Sequence, residues 1–204
     1  MKRIMTVLFA SALLLAACGG SDSGGSGSGG SSSTGSSSDA AEFNDADVAF
    51  AQGMIPHHEQ AVEMADLALK SASSEEVKGL AEQIEAEQDP EIKTMKGFLD
   101  DWGRQGSGDS GDREGMDGSS DSDMTGITGM MSDQDMADLG AASGAAFDKM
   151  FLEMMIEHHT SAITMAETEQ ADGKNADAKD LAGQIIKAQK AEITEMEALL
   201  DSGV

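Results

Sequence analysis

Between residues 44 and 70 the chain repeats an apolar position every three or four residues. Phe50, Met54, His57, Ala61, Met64 and Ala68 fall on one line, with Glu59, Glu63 and Asp66 on the opposite side. That spacing is the period of one helical face. It predicts a helix opening at Asn44, a good N-cap, with Asp47 three residues on. Ser71 to Ser74 interrupts the pattern, and Ser73 or Ser74 can cap a second helix. Glu75 and Glu76 then lie in its first turn, where the helix dipole favours negative charge. Its apolar stripe is Val77, Leu80, Ala81, Ile84, Ile92, Met95, Phe98 and Leu99. Pro56 and Pro90 fall inside these helices, and each removes a backbone donor and crowds the carbonyl four residues back. The apolar period continues past both, so they are expected as kinks and not as ends.

The same text is written twice. A shift of 101 residues carries Asp47 onto Asp148, Phe50 onto Phe151, Met54 onto Met155, and His57-His58 onto His158-His159. It carries Ala61, Met64 and Ala65 onto Ala162, Met165 and Ala166, and, without a gap, Glu91-Ile92 onto Glu192-Ile193 and Met95 onto Met196. One unit spans about residues 44–102 and the other about 145–202, the second with its hinge at Ala171 to Asp177. No segment alternates apolar and polar residues, so no sheet is expected. The fold class is all-α: two helical hairpins, each with one apolar stripe per helix, bury those stripes best as a four-helix bundle over residues 43–204. Between the units, residues 103–131 are mostly Gly, Ser and Asp. Met116, Met124, Met130, Met131 and Met136 are scattered along and just beyond this linker. Ser132 to Asp135 resembles a capped helix start, so a short helix is expected before Gly144.

The beginning of the chain has a different character. Lys2 and Arg3 precede a short apolar run, and Leu15-Ala16-Ala17-Cys18 closes it. Residues 1–17 read as a secretory signal, too short to span a bilayer stably. Leu-Ala-Ala-Cys resembles the bacterial lipobox, in which the cysteine is lipidated; this also accounts for the chain's only cysteine, Cys18. Residues 18–42 then form a Gly/Ser tether. The expectation is a lipid-anchored protein of the cell envelope, facing away from the cytoplasm. A formal charge of -25 argues against nucleic acid as a partner, because phosphate contacts need a basic surface.

The chemistry that stands out is soft. The chain has 15 methionines, no tyrosine and four histidines, and it uses every histidine in one of two His-His pairs. On a helix His57 and His58 straddle the line of Met54, while Met64 lies two turns beyond, about 10 Å from His57. One straight helix therefore cannot gather these groups around one ion. Two facing repeats can, with Met54, His57, His58 and Met64 from one and Met155, His158, His159 and Met165 from the other. Asp47 and Asp148 fall on the same buried side, to cap helix starts or to orient an imidazole. Neutral imidazole with thioether matches Cu(I) best; Zn(II) ordinarily takes thiolate or carboxylate. The bland reading is that these methionines are core and that the histidines have ordinary polar partners.

Enzyme readings are weaker. No Glu stands three residues before a histidine, as a di-iron bundle needs, and no Cys-x-x-Cys-His marks covalent haem. A non-covalent haem has few aromatic residues to hold it. No catalytic residue is assigned.

The residues Phe50, Met54, Ile55, His57, His58, Ala61, Met64 and Ala65 resemble a known family, the bacterial domain of unknown function family 305. So do their second copy in "AAFDKMFLEMMIEHHTSAITMA" and the segment "GMMSDQDMADLGAASG". The resemblance implies a ferritin-like four-helix bundle, exported or membrane-anchored, with copper or silver binding in some members. The family's motif positions are Met54, His57, His58 and Met64, and Met155, His158, His159 and Met165. The expected function is buffering or sequestration of copper outside the cytoplasm. The alternative is a structural or partner-binding envelope lipoprotein whose His-His pairs serve only the helix seam. A third reading is a redox or haem protein.

Overall fold

A computed structural model describes residues 42–104 and 129–204. The signal segment, Cys18, nearly all of the tether, and Met116 and Met124 of the linker lie outside the described residues. Five helices and no strand occur among the described residues: α1 Asp45–Ser71, α2 Glu75–Asp101, α3 Asp133–Ala141, α4 Ala145–Asp172 and α5 Ala176–Ser202. None of them is long and apolar enough to cross a membrane.

Local chemistry accounts for the ends. Asn44 accepts from the amides of Ala46 and Asp47, and the Asp47 carboxylate accepts in return from the Asn44 amide at 2.6 Å, closing a capping box. Ser74 caps α2, Ser132 caps α3 and Asn175 caps α5. Gly144 precedes α4 at φ 63°, a conformation that suits glycine, and its amide donates to the Ser71 carbonyl at 3.1 Å. Pro56 and Pro90 are embedded within continuous helices. The carbonyls they leave without a donor belong to the exposed residues Gln52 and Ala86, where water can take the bond.

Each hairpin packs its two helices together, α1 on α2 and α4 on α5. The hairpins then join mainly through α1 against α4, and more lightly through α2 against α5. Helices α1 and α4 run antiparallel: the start of α1 reaches the end of α4, and the start of α4 reaches the end of α1. Two aspartates make these joints. Asp47 of α1 accepts from the amides of Lys174 and Asn175, at 3.0 and 2.8 Å, in the hinge of the other repeat. Asp148 of α4 accepts from the amides of Ser73 and Ser74, at 2.9 and 3.1 Å, and from the Ser73 hydroxyl. Of the two roles expected for these aspartates, the structure gives them capping, directed at the partner hairpin's second helix. Burial pushes the Asp47 carboxyl up, but backbone donors led by Asn175 and Asn44 outweigh it and hold the group below its usual range.

The joint at Asp47 carries a second carboxyl. Glu169 is 1 % exposed, and no donor serves either of its oxygens. Burial, with the Asp47 carboxylate beside it, pushes Glu169 up to about 8. Glu169 lies over Gly173, where a Cβ would meet its carboxylate and its backbone carbonyl. The equivalent positions in the first repeat are Ala68 and Ala72, so this feature belongs to one end of the bundle only.

Apolar packing forms two clusters. One gathers Leu80, Ile84, Leu139, Phe147, Phe151 and Leu152 with Met64 and Met155. The other gathers Phe50, Leu99, Leu181 and Ile185 with Met54. Each such side chain contributes about 1.5–3 kcal/mol when fully buried. Helix α3 inserts Leu139 into the first cluster, and Gln60 holds the strap before it through both the amide and the carbonyl of Met131.

Candidate metal centre

Four imidazoles sit in the middle of the bundle. His57, His58, His158 and His159 are each 0 % exposed. They come from the facing sides of α1 and α4. The His57 and His158 rings lie 3.7 Å apart between centroids, tilted by 40°. Within each pair the rings are 6.5 Å apart (His57 and His58) and 6.4 Å apart (His158 and His159).

The expected methionines flank this layer on both sides. Met54 is buried in one apolar cluster with Met165 packed against it; Met64 and Met155 are buried together in the other. The sequence reading put all eight side chains inward. Seven are fully buried, and Met165 is only partly so, resting against Gly53. Met131, Met136, Met150 and Met154 are partly buried against the cluster of Met64 and Met155.

Sequence reasoning missed the contribution of the second helices. His58 Nε2 meets the Glu91 carboxylate at 2.9 Å, and His159 Nε2 meets Glu192 at 2.8 Å. Gln88 and Gln189, one turn earlier on α2 and α5, are each 2 % exposed, and their amides have no hydrogen-bond partner. All four residues obey the 101-residue shift. The signal was a gap: Gln88 sits where the stripe between Ile84 and Ile92 should carry an apolar residue. The remaining contact breaks the symmetry. His57 Nε2 meets the Ser161 hydroxyl at 3.0 Å, whereas Gln60, the counterpart of Ser161, is spent on Met131.

Burial dominates the electrostatics. It pushes His57 down to about 3, helped by His58 and His159. It pushes His58 to about 3 as well, with His159 lowering it further and Glu192 opposing. His158 is held well below its ordinary value, by burial first and then by His57. Glu91 rises to about 7, through burial and the nearby Glu192, with His159 opposing. The imidazoles of His57, His58 and His158 are therefore neutral at physiological pH, which is the form that ligates metals.

Two further observations bear on a cation. The Nδ1 atoms of His57, His58, His158 and His159, and Nε2 of His158, are buried without a hydrogen-bond partner. Buried polar atoms ordinarily find one, so this donor set fits an ion that accepts nitrogen and sulfur. Among the described residues, however, no three His, Cys, Asp or Glu side chains are gathered to hold one ion. A shallow cleft of about 350 Å³ between α2 and α5, bordered by Glu87, Pro90, Glu91 and Gln184, opens beside Glu91.

These features define a duplicated all-helical protein with a buried polar centre. The sequence pattern described as "Domain of unknown function (DUF305)" matches residues 47–200, and the chain belongs to that family. It is similar to a DUF305 protein from Streptomyces coelicolor, with 31 % identity and a TM-score of 0.67, over 78 % of this chain and 92 % of that one. It is similar to a DUF305 fragment from Deinococcus radiodurans, with 28 % identity and a TM-score of 0.65, over 78 % and 97 % of the two chains. It is also similar to CopM in its Cu(II)-bound form, with 31 % identity and a TM-score of 0.63, over 78 % and 97 %. CopM has been solved in Cu(I)-bound, silver-bound and apo forms as well. No curated protein matches the chain.

Proposed function

We propose that this chain is a non-enzymatic binder of copper, in the Cu(I) state, held by imidazole and thioether side chains. It buffers or sequesters the ion on the outer side of a membrane, to which Cys18 anchors it. The ligands are drawn from Met54, His57, His58 and Met64, and from Met155, His158, His159 and Met165. The observation that carries this reading is the set of four buried imidazoles whose Nδ1 atoms lack partners, with His57, His58 and His158 held neutral, flanked by the buried thioethers of Met54, Met64 and Met155 and the partly buried Met165. Cu(I) tolerates low coordination numbers, so a pair of imidazoles with a thioether suffices and a cluster of three hard ligands is not required. Copper-bound and silver-bound CopM, similar over three-quarters of this chain, supports it. The partly buried Met131, Met136, Met150 and Met154 would extend the thioether set toward the surface.

One observation favours the alternative, a structural envelope protein whose His–Glu pairs only lock the helix seam: no three nitrogen or oxygen ligands are pre-gathered among the described residues. Cu(I) loading under reductant, in competition with a coloured chelator, separates the two. The wild-type chain should retain copper at a fixed stoichiometry and melt at a higher temperature with it, since a ligand of the native state raises stability. The variant with His57, His58, His158 and His159 changed to Ala should lose both effects. Stoichiometric copper in that variant would refute the ligand assignment; a wild-type melting curve indifferent to copper would favour the structural reading.

A further inference from the structure

The contacts His58–Glu91 and His159–Glu192 are one arrangement made twice. Both use Nε2, at 2.9 and 2.8 Å, and both leave Nδ1 buried without a partner. The repeats keep this pairing while they discard others: Ser161, which meets His57, corresponds to Gln60, whose side-chain amide bonds Met131 instead. The carboxylates are also poorly placed for a merely solvated role. Glu192 is 2 % exposed and the Glu91 side chain 16 %. Burying a carboxylate is costly unless donors compensate, and Glu192 Oε1 has no donor at all. An apolar residue would seal the seam at lower cost. What the carboxylate adds is control over the ring: an acceptor at Nε2 fixes the proton there and leaves the Nδ1 lone pair free. Metal-ligating histidines commonly have such a partner on the other nitrogen.

We propose that Glu91 and Glu192 are positioning residues of the histidine centre: each accepts from Nε2–H and presents Nδ1 of His58 or His159 as the nitrogen donor to a soft metal ion. The proposal rests on the copper reading for its ion, but its geometry is testable without metal. The alternative is a protonated Glu donating to a bare Nε2, which would put the proton on Nδ1 and close that nitrogen to a cation.

Long-range proton–nitrogen spectra of the metal-free, 15N-labelled chain, taken well above the Glu91 value of about 7 so that this carboxylate is ionised, distinguish the two tautomers. His58 and His159 should carry the proton on Nε2. In E91A and E192A the preference for Nε2–H should be lost at the matching ring, and Cu(I) affinity should fall by about 10–100-fold. In E91Q and E192Q the amide oxygen still accepts from Nε2–H, so the tautomer should persist and most of the affinity should return. A proton on Nδ1 of both rings in the wild type overturns the proposal, whether or not any variant folds. So does an E91A/E192A double variant that binds Cu(I) as tightly as the wild type. Failure of the wild-type chain to take up Cu(I) sinks the copper reading instead, and the tautomer still decides whether the carboxylates set the rings.

Discussion

His57 and His158 face each other ring to ring, 3.7 Å between centroids, from the same position in two repeats. Neither is charged at neutral pH, because burial holds both well below the ordinary histidine value. A base whose folded pKa is depressed lends stability that is fully present above its unfolded value, near 6.5, and is lost as pH falls toward the folded value, about 3 for His57 and His58. The urea midpoint should therefore drop steadily as pH is lowered from 6.5 toward 3. Replacing His57 and His158 together with Gln should flatten that slope; an unchanged slope would mean that the rings are solvated.

Glu169 behaves in the opposite sense. Its folded pKa, about 8, stands above the ordinary carboxylate value of 4.5, so the folded chain binds the extra proton between those limits. Its contribution is fully present below 4.5, declines as pH rises and is exhausted above 8. E169Q keeps the shape and removes the titration. Urea midpoints for wild type and E169Q should diverge across pH 4.5–8, the wild type losing stability relative to the variant as pH rises. Parallel curves would show that Glu169 is ionised throughout.

Gly173→Ala tests the same corner sterically. The added Cβ would collide with the Glu169 carboxylate and lie 2.6 Å from its carbonyl oxygen. Overpacking of this kind costs about 1–3 kcal/mol, which thermal melting would register as a lowered Tm.

The cross-repeat caps make a larger claim. Asp47→Ala strands the amides of Lys174 and Asn175, and Asp148→Ala strands those of Ser73 and Ser74. A stranded buried donor costs about 1–3 kcal/mol; only the Asn175 amide is fully buried and the other three are partly so, so each variant should lose about 1–3 kcal/mol in total by urea titration. Losses under about 0.5 kcal/mol would show that water substitutes for the carboxylate.

Leucine at positions 54, 64, 155 and 165 separates packing from chemistry. Met→Leu conserves volume and usually costs under about 1.5 kcal/mol per site, so the quadruple variant should stay folded. It should bind Cu(I) more weakly, because the thioethers are gone. Equal affinity in chelator competition would make these methionines core alone.

Much of this architecture was legible because helical periodicity is a local property. The stripe from Phe50 to Ala68 and the in-register copy from Phe151 onward are written residue by residue, and so were the inward histidines. The carboxylates were not. Glu91 and Glu192 sit on charged-looking stretches, where a glutamate ordinarily faces water, and only the neighbouring helix shows that they do not. Gln88 and Gln189 were visible as a flaw in an apolar stripe, a weaker signal than a motif. The destination of Asp47 and Asp148 was also hidden: periodicity says that a helix start needs a partner, not which hinge approaches it. Met165 shows the limit from the other side, since the same stripe that buries Met64 leaves its counterpart partly in solvent.

The exchange of caps at Asp47 and Asp148 has a consequence for ancestry and engineering. Neither hairpin completes its own hinge: Ser74 and Asn175 cap the second helices from within, but the hinge amides of Ser73 and Ser74, and of Lys174 and Asn175, are held by the sister's aspartate. A chain holding just one hairpin would complete itself only by docking on a second copy about a dyad, each lending the other its aspartate. Residues 145–204 made alone should thus behave as an obligate homodimer or not fold, and the duplicated gene reads as that dimer stitched into a single polypeptide.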